Sequence, residues 1–211
     1  MNIRAMVTTM AIVLSGTAST AGTASARNIE IPTGQVIPVC VDATANSITT
    51  IFQARGIASK MFAAAGVSID WRGGNNCPAD GIQISLSQHS RESDHPNAYA
   101  YALPYEGTHI VLFWDRIQNS TGPRGLHYLV AHVLVHEITH ILEGTCRHSD
   151  TGVLKAVFTR SDIDEMEFHP LPFAAVDLDL IRSGLKARAE RRLDLPGKNV
   201  VSLPTSTHGR A

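Results

Sequence analysis

The order of hydrophobic periodicities along this chain predicts an α+β fold: a small mixed sheet covered by a long N-terminal helix, a second, buried helix, and a shorter helical part toward the C-terminus. Three observations carry it. Residues 42–65 place apolar side chains at helical spacing, residues 67–115 hold four short alternating or continuous apolar segments, and residues 123–143 are apolar around most of a helix's circumference. At 211 residues, 44% hydrophobic and 18% charged, the chain has the composition of one globular domain.

Residues 1–26 stand apart. Arg4 provides a positive start, Ala11 to Leu14 belong to a short apolar stretch, and Ala24-Ser25-Ala26 is a small-residue cleavage pattern, so a secretory signal peptide is expected there. Thr8, Thr9, Ser15 and Gly16 interrupt the stretch well short of the ~20 apolar residues that span a bilayer, so no lasting membrane association is expected. Removing this segment takes away one Arg and no acid, leaving a formal charge of −2 and no clustered basic face for nucleic acid. The expectation is a secreted or periplasmic monomer in which residues 27–195 form one domain and residues 196–211, rich in Gly, Asn, Ser, Thr and Pro, form a disordered tail.

Asn28 to Val41, punctuated by Pro32, Gly34 and Pro38, suits a first extended segment. The long helix follows with Asp42 or Asn46 as cap and Gly66 as stop, burying Ile48, Ile51, Phe52, Ile57, Ala58, Met61, Phe62 and Ala65. Val67 to Trp71 reads as a strand, Gly73-Gly74-Asn75-Asn76 as a turn, and Ile82, Ile84 and Leu86 as the next strand. After a polar loop, Gln88 to Asn97, come a strand with Tyr99, Tyr101 and Leu103 and a nearly continuous one at His109 to Asp115, either an edge strand where a peptide docks or an interior one. Tyr99, Tyr101 and Tyr105 are candidates to line a cleft, although strand aromatics commonly serve the core. Pro123 to Glu143 forms the buried helix, with Pro123 in its first turn and Gly144 past its end. Ser161 to Phe168 reads as a short helix capped by Ser161 and Asp164, and Lys186 to Arg192 as a solvated helical face.

The buried helix carries H-E-I-T-H. His136 and His140 stand four apart, which puts their imidazoles on one face a turn apart, within reach of one tetrahedral ion, the expected Zn2+. Glu137 is the next residue round, beside the ion, where it can take a proton from a zinc-activated water. His132 offers a competing four-residue pair without a glutamate and is read as a core histidine. Glu143, His148, Glu165, Glu167 and His169 are the candidates for a third ligand. Glu143 lies about 10.5 Å along the axis from His136, too far to share one small ion. His148 is favoured, because Gly144 can end the helix in a left-handed turn and Thr145-Cys146-Arg147 can carry the chain back over the metal.

H136-E-I-T-H140-I-L-E-G144 followed by R-H148-S-D-T-G152-V resembles the metzincin-like zinc proteases, and more closely secreted bacterial proteins with H-E-x-G-H-x-L-x-G and then H-S-x-x-G-I-M. The resemblance is strongest over residues 98–165 and implies a zincin-like metalloprotease domain with His148 as third ligand. The chain departs from the metzincin pattern in the spacing of four between Gly144 and His148 and in Leu154 where the bacterial group shows methionine.

The expected function is peptide-bond hydrolysis in a protein or peptide substrate, with Glu137 as general base and Arg147 or His169 as candidate oxyanion stabilisers. A non-catalytic zinc scaffold and a zinc amidase of cell-wall peptides are the alternatives. Cys40, Cys77 and Cys146 imply one disulfide and one leftover thiol in an exported protein, without fixing the pair. No cysteine switch is expected of Cys40, whose surroundings Pro38 to Asp42 read as a strand.

Overall fold

The computed structural model describes residues 35–91, 95–104 and 108–194; the expected signal peptide, the expected tail, Asn28 to Gly34 and Tyr105 lie outside them. Five strands form one mixed sheet: β1 (Val36–Asp42), β2 (Ser68–Gly73), β3 (Ile82–Ser87), β4 (Ala100–Ala102) and β5 (His109–Phe113), in the order β2-β1-β3-β5-β4. The first four strands in that order run parallel, and β4 lies antiparallel on β5 with Tyr101 opposite Val111. Every residue from Ile37 to Val41 is buried, as expected of a parallel strand covered on both faces.

His109 to Asp115 is corrected at its C-terminal end, and the structure decides between its two readings. The strand stops at Phe113, and Trp114 and Asp115 open a helix that sequence periodicity did not separate, α2 (Trp114–Ser120). It is also interior, held between β3 and β4, so the open edge belongs to β4.

Helix α1 (Ile48–Ala64) begins later than the sequence pattern indicates. Asp42 stays in β1 opposite Ser85, and Ser47 takes the capping position, its hydroxyl accepting from the Thr44 N–H at 3.0 Å. Ile51, Ala54, Ala58, Met61 and Phe62 face the core, whereas Ile48 and Phe52 are exposed. The predicted stop holds: Gly66 adopts φ +77°.

Helix α3 (Leu126–Glu143) is the centre of the molecule, buried at every residue from Leu129 to Leu142 and packed against α1 and the C-terminal helix. Pro123 belongs to the preceding turn rather than to the helix. Helix α4 (Arg160–Met166) carries a capping box, but two residues earlier than expected, on Thr159 and Asp162.

The C-terminal helix α5 (Ala175–Asp194) is the longest of the described helices. It meets α3 through Gly184, where a Cβ would fall deep inside the contact radius of the Leu142 carbonyl oxygen. Cys40 and Cys77 form the disulfide, joining β1 to the turn before β3 and leaving Cys146 free. Among the described residues, no helix is long and apolar enough to cross a membrane.

The α3–α5 contact is backbone against backbone, so no side-chain motion relieves it. Gly184→Ala is expected to cost about 1–3 kcal/mol, as overpacking does in a tight core, and to lower the melting temperature by several degrees. Arg182→Ala, on the exposed side of the same helix, serves as the control with little change; equal melting curves for the two would show the contact to be soft.

Candidate metal centre

Two turns of α3 and the loop after it make the site. His136 and His140 project from one face with their Nε2 atoms 3.0 Å apart. The Nδ1 of His136 lies 2.8 Å from the Val153 carbonyl and that of His140 lies 3.0 Å from the Thr145 carbonyl. A carbonyl only accepts, so each ring carries its proton on Nδ1 and presents a bare lone pair at Nε2. Bare lone pairs at this separation repel unless a cation shares them, and a tetrahedral ion with nitrogens at ~2.0–2.1 Å spaces them by about 3.3–3.4 Å.

The third imidazole arrives by way of Gly144. Its φ of +70° ends the helix in a left-handed turn and turns its N–H onto the His140 carbonyl. The chain then returns along the helix end and places the His148 ring 5.3 Å from that of His136 and 5.0 Å from that of His140. One ligand nitrogen from each of the three lies within 4.8 Å of the others, so the three histidines could hold a metal ion. A set of three imidazoles with an open side fits a divalent ion such as Zn2+.

Burial sets the electrostatics. It lowers His136 to about 4, with the Val153 carbonyl opposing and His148 adding to the drop. It lowers His140 to about 3, with His136 and His148 contributing, and lowers His148 as well, with Arg147 assisting. Neutral imidazoles are the form that binds metals. Glu137 is 7% exposed, makes no hydrogen bond or ion pair among the described residues, and is pushed up to about 8 by burial.

These groups floor a cleft of about 330 Å3. Tyr99 and Tyr101 line one wall, and Lys155, Val157 and Phe158 line another. His95 and Asn97, which sequence reasoning passed over as loop, also border it in left-handed conformations, φ +46° and +63°. Arg116 holds that loop, donating to the carbonyls of Arg91, His95 and Ala98 at 2.7, 2.7 and 3.0 Å. The available signal was the triplet His95-Pro96-Asn97, turn-forming residues of which Asn tolerates positive φ.

The remaining candidates lie elsewhere. His132 is a satisfied core histidine: its Nδ1–H donates to the Tyr128 carbonyl at 2.7 Å, and its Nε2 accepts from the Leu171 N–H at 3.0 Å. Glu143 is half-buried, both its oxygens enclosed without a partner, and burial beside Asp177 pushes it up to about 7. Glu165, Glu167 and His169 are exposed on or just after α4. Neither His169 nor Arg147 lines the cleft; the Arg147 guanidinium is committed to His148 O, Ser149 Oγ and Asp177 Oδ1. Leu154 is fully buried in the short 3-10 turn Gly152–Leu154, whose Val153 carbonyl anchors His136. Cys40, being disulfide-bonded, offers no thiolate.

Fold and site together define an α+β domain with a three-histidine centre built on a buried helix and the loop that follows it. No protein family model matches the chain, and no curated protein does. Among solved structures, the chain is similar to archaemetzincin from Methanopyrus kandleri, with 15% sequence identity and a TM-score of 0.49 over 74% of this chain and 98% of that one.

Without metal, these groups pull stability in opposite directions. His136 and His140 sit below their ordinary 6.5, so their contribution is complete above pH 6.5 and is lost as pH falls through about 4 and then 3. Glu137 sits above its ordinary 4.5, so its contribution is complete below pH 4.5 and is lost as pH rises through about 8. Thermal unfolding in chelator should show the wild type losing melting temperature between roughly pH 7 and 9, above the range in which the histidine contributions change, and Glu137→Gln losing much less over the same range. Parallel curves for the two would contradict the burial of that carboxyl.

Proposed function

We propose that the chain is a secreted zinc-dependent peptidase. The observation that carries this is the convergence of the bare nitrogens of His136 and His140 with His148 on the floor of an open cleft, beside a buried carboxyl that has no partner among the described residues. A glutamate kept in such a place solely for stability would be paired or hydrogen-bonded.

His136, His140 and His148 hold the ion. When bound, zinc supplies Lewis acidity, bringing the pKa of a water at the site from ~15.7 to near ~7 and polarising a carbonyl. The Nδ1–H bonds to Val153 and Thr145 fix the tautomer and the plane of the two helical rings, so the ion meets prearranged ligands. Glu137 accepts the proton of the attacking water and delivers it to the departing amine.

The substrate is an extended peptide. Ala100–Ala102 of β4 lines the cleft, and that strand ends the sheet, so its outer backbone groups are available to pair with one more strand. Export is supported by the Cys40–Cys77 bridge, a bond that persists in oxidising compartments.

Metal analysis tests the ligand set. Wild type and Glu165→Ala are expected to keep one zinc per chain after dialysis, and His148→Ala to keep far less; the reverse pattern would move the third ligand to α4. Turnover tests the chemistry. Glu137→Gln is expected to keep its zinc while cleaving casein roughly 10²–10⁴-fold more slowly. A zinc-loaded wild type that cleaves neither casein nor peptidoglycan fragments is a scaffold, and one that cleaves only the latter is a cell-wall amidase.

A further inference from the structure

The three imidazoles are not supported alike. His136 and His140 stand on a rigid helix, and each is fixed by a hydrogen bond from its outer nitrogen. His148 is exposed, stands on a loop, and its ring makes no hydrogen bond among the described residues. Its position is therefore decided by its backbone.

The residues on either side of His148 are bound, through their side chains, to one buried carboxylate. Asp177, in the first turn of α5, has no exposed surface. Its Oδ1 accepts from Arg147 Nη2 at 2.6 Å and from Ser149 Oγ at 2.5 Å, the two residues flanking His148. Arg147 closes the loop on itself, donating from Nη1 to the His148 carbonyl at 2.9 Å and from Nη2 to Ser149 Oγ at 2.9 Å. The Ser149 N–H is held by the Leu154 carbonyl at 2.9 Å. Local capping of α5 accounts for Oδ2, which accepts from the Ala174 N–H at 2.9 Å, but not for the two bonds of Oδ1. Gly184 in turn seats α5 against the end of α3, the helix that carries the other two ligands.

We infer that Asp177 is a positioning residue for the metal centre, holding Arg147 and Ser149 so that the His148 imidazole meets those of His136 and His140. The inference rests on the proposal that these three histidines bind zinc.

The test is a set of zinc dissociation constants, measured by competition with a chromophoric chelator for wild type, Asp177→Asn and Ser149→Ala, and by direct titration for the same two changes in a His148→Ala background. Asp177→Asn is expected to weaken zinc binding about 10–100-fold, the usual effect of removing a group that orients a ligand, and Ser149→Ala to weaken it less. With His148 absent, neither change should weaken binding further. An unchanged constant in the first background, or an equal loss in both, overturns the inference, the latter by showing that Asp177 sustains the fold rather than His148. If circular dichroism shows Asp177→Asn unfolded, Ser149→Ala decides by the same two comparisons. Failure of the wild type itself to bind zinc overturns the parent proposal instead, and is read before any variant.

Discussion

Helix α3 has to be buried, and it has to carry imidazoles and a carboxyl into a place where unpaired polar groups are costly. Its backbone satisfies itself, as any helix does, but its side chains cannot. The chain answers by bringing carbonyls to them: Tyr128 to His132, Thr145 to His140 and Val153 to His136. Each bond consumes an Nδ1 proton and fixes a tautomer. The path of the chain from Gly144 to Leu154 is thus set as much by what the histidines need as by its own turn preferences. Glu137 receives no such partner, and its isolation separates this centre from a helix that merely buries histidines neatly.

The sheet serves the same centre from the other side. Strand β1, buried from Ile37 to Val41, runs through the parallel part of the sheet, and the single antiparallel strand is appended at the edge beside the cleft. The loop leading into β4 is held by Arg116, which also lies 4.4 Å from the Phe113 ring, so the left-handed backbone at His95 and Asn97 is imposed from α2 and β5. That side of the cleft is therefore fixed by groups outside it.

Much of this was legible in the sequence because it is local. Helical spacing between Ile51 and Phe62, the apolar girth of α3, the left-handed stop at Gly144 and the i, i+4 histidines follow from residues close to one another in the chain. What was not legible depends on contacts made at a distance. Thr159 and Ser161 both stand three residues before an aspartate, so the sequence offers two equal capping boxes, and only the docking of Lys155 on Asp162 at 2.6 Å accompanies the first. Whether His109 to Phe113 lies inside the sheet depends on the pairing of Ala100–Ala102 against it, and although Tyr99, Tyr101 and Leu103 mark that segment as a strand, nothing local says which strand it joins. Of helix α5 only Lys186 to Arg192 reads as helical from the sequence, and its first half escaped because few buried apolar residues mark its inner face, Ile181 and Leu185 among them, the rest of its seat being a glycine and a buried aspartate.

The last of these bears on the order in which the molecule is made. A ribosome releases His136, His140 and His148 before Val153, which orients the first of them, and long before Asp177, which we assign to the last. A growing chain thus owns every ligand while lacking the braces that aim them. The three-histidine centre is then completed only after the C-terminal helix has emerged and docked.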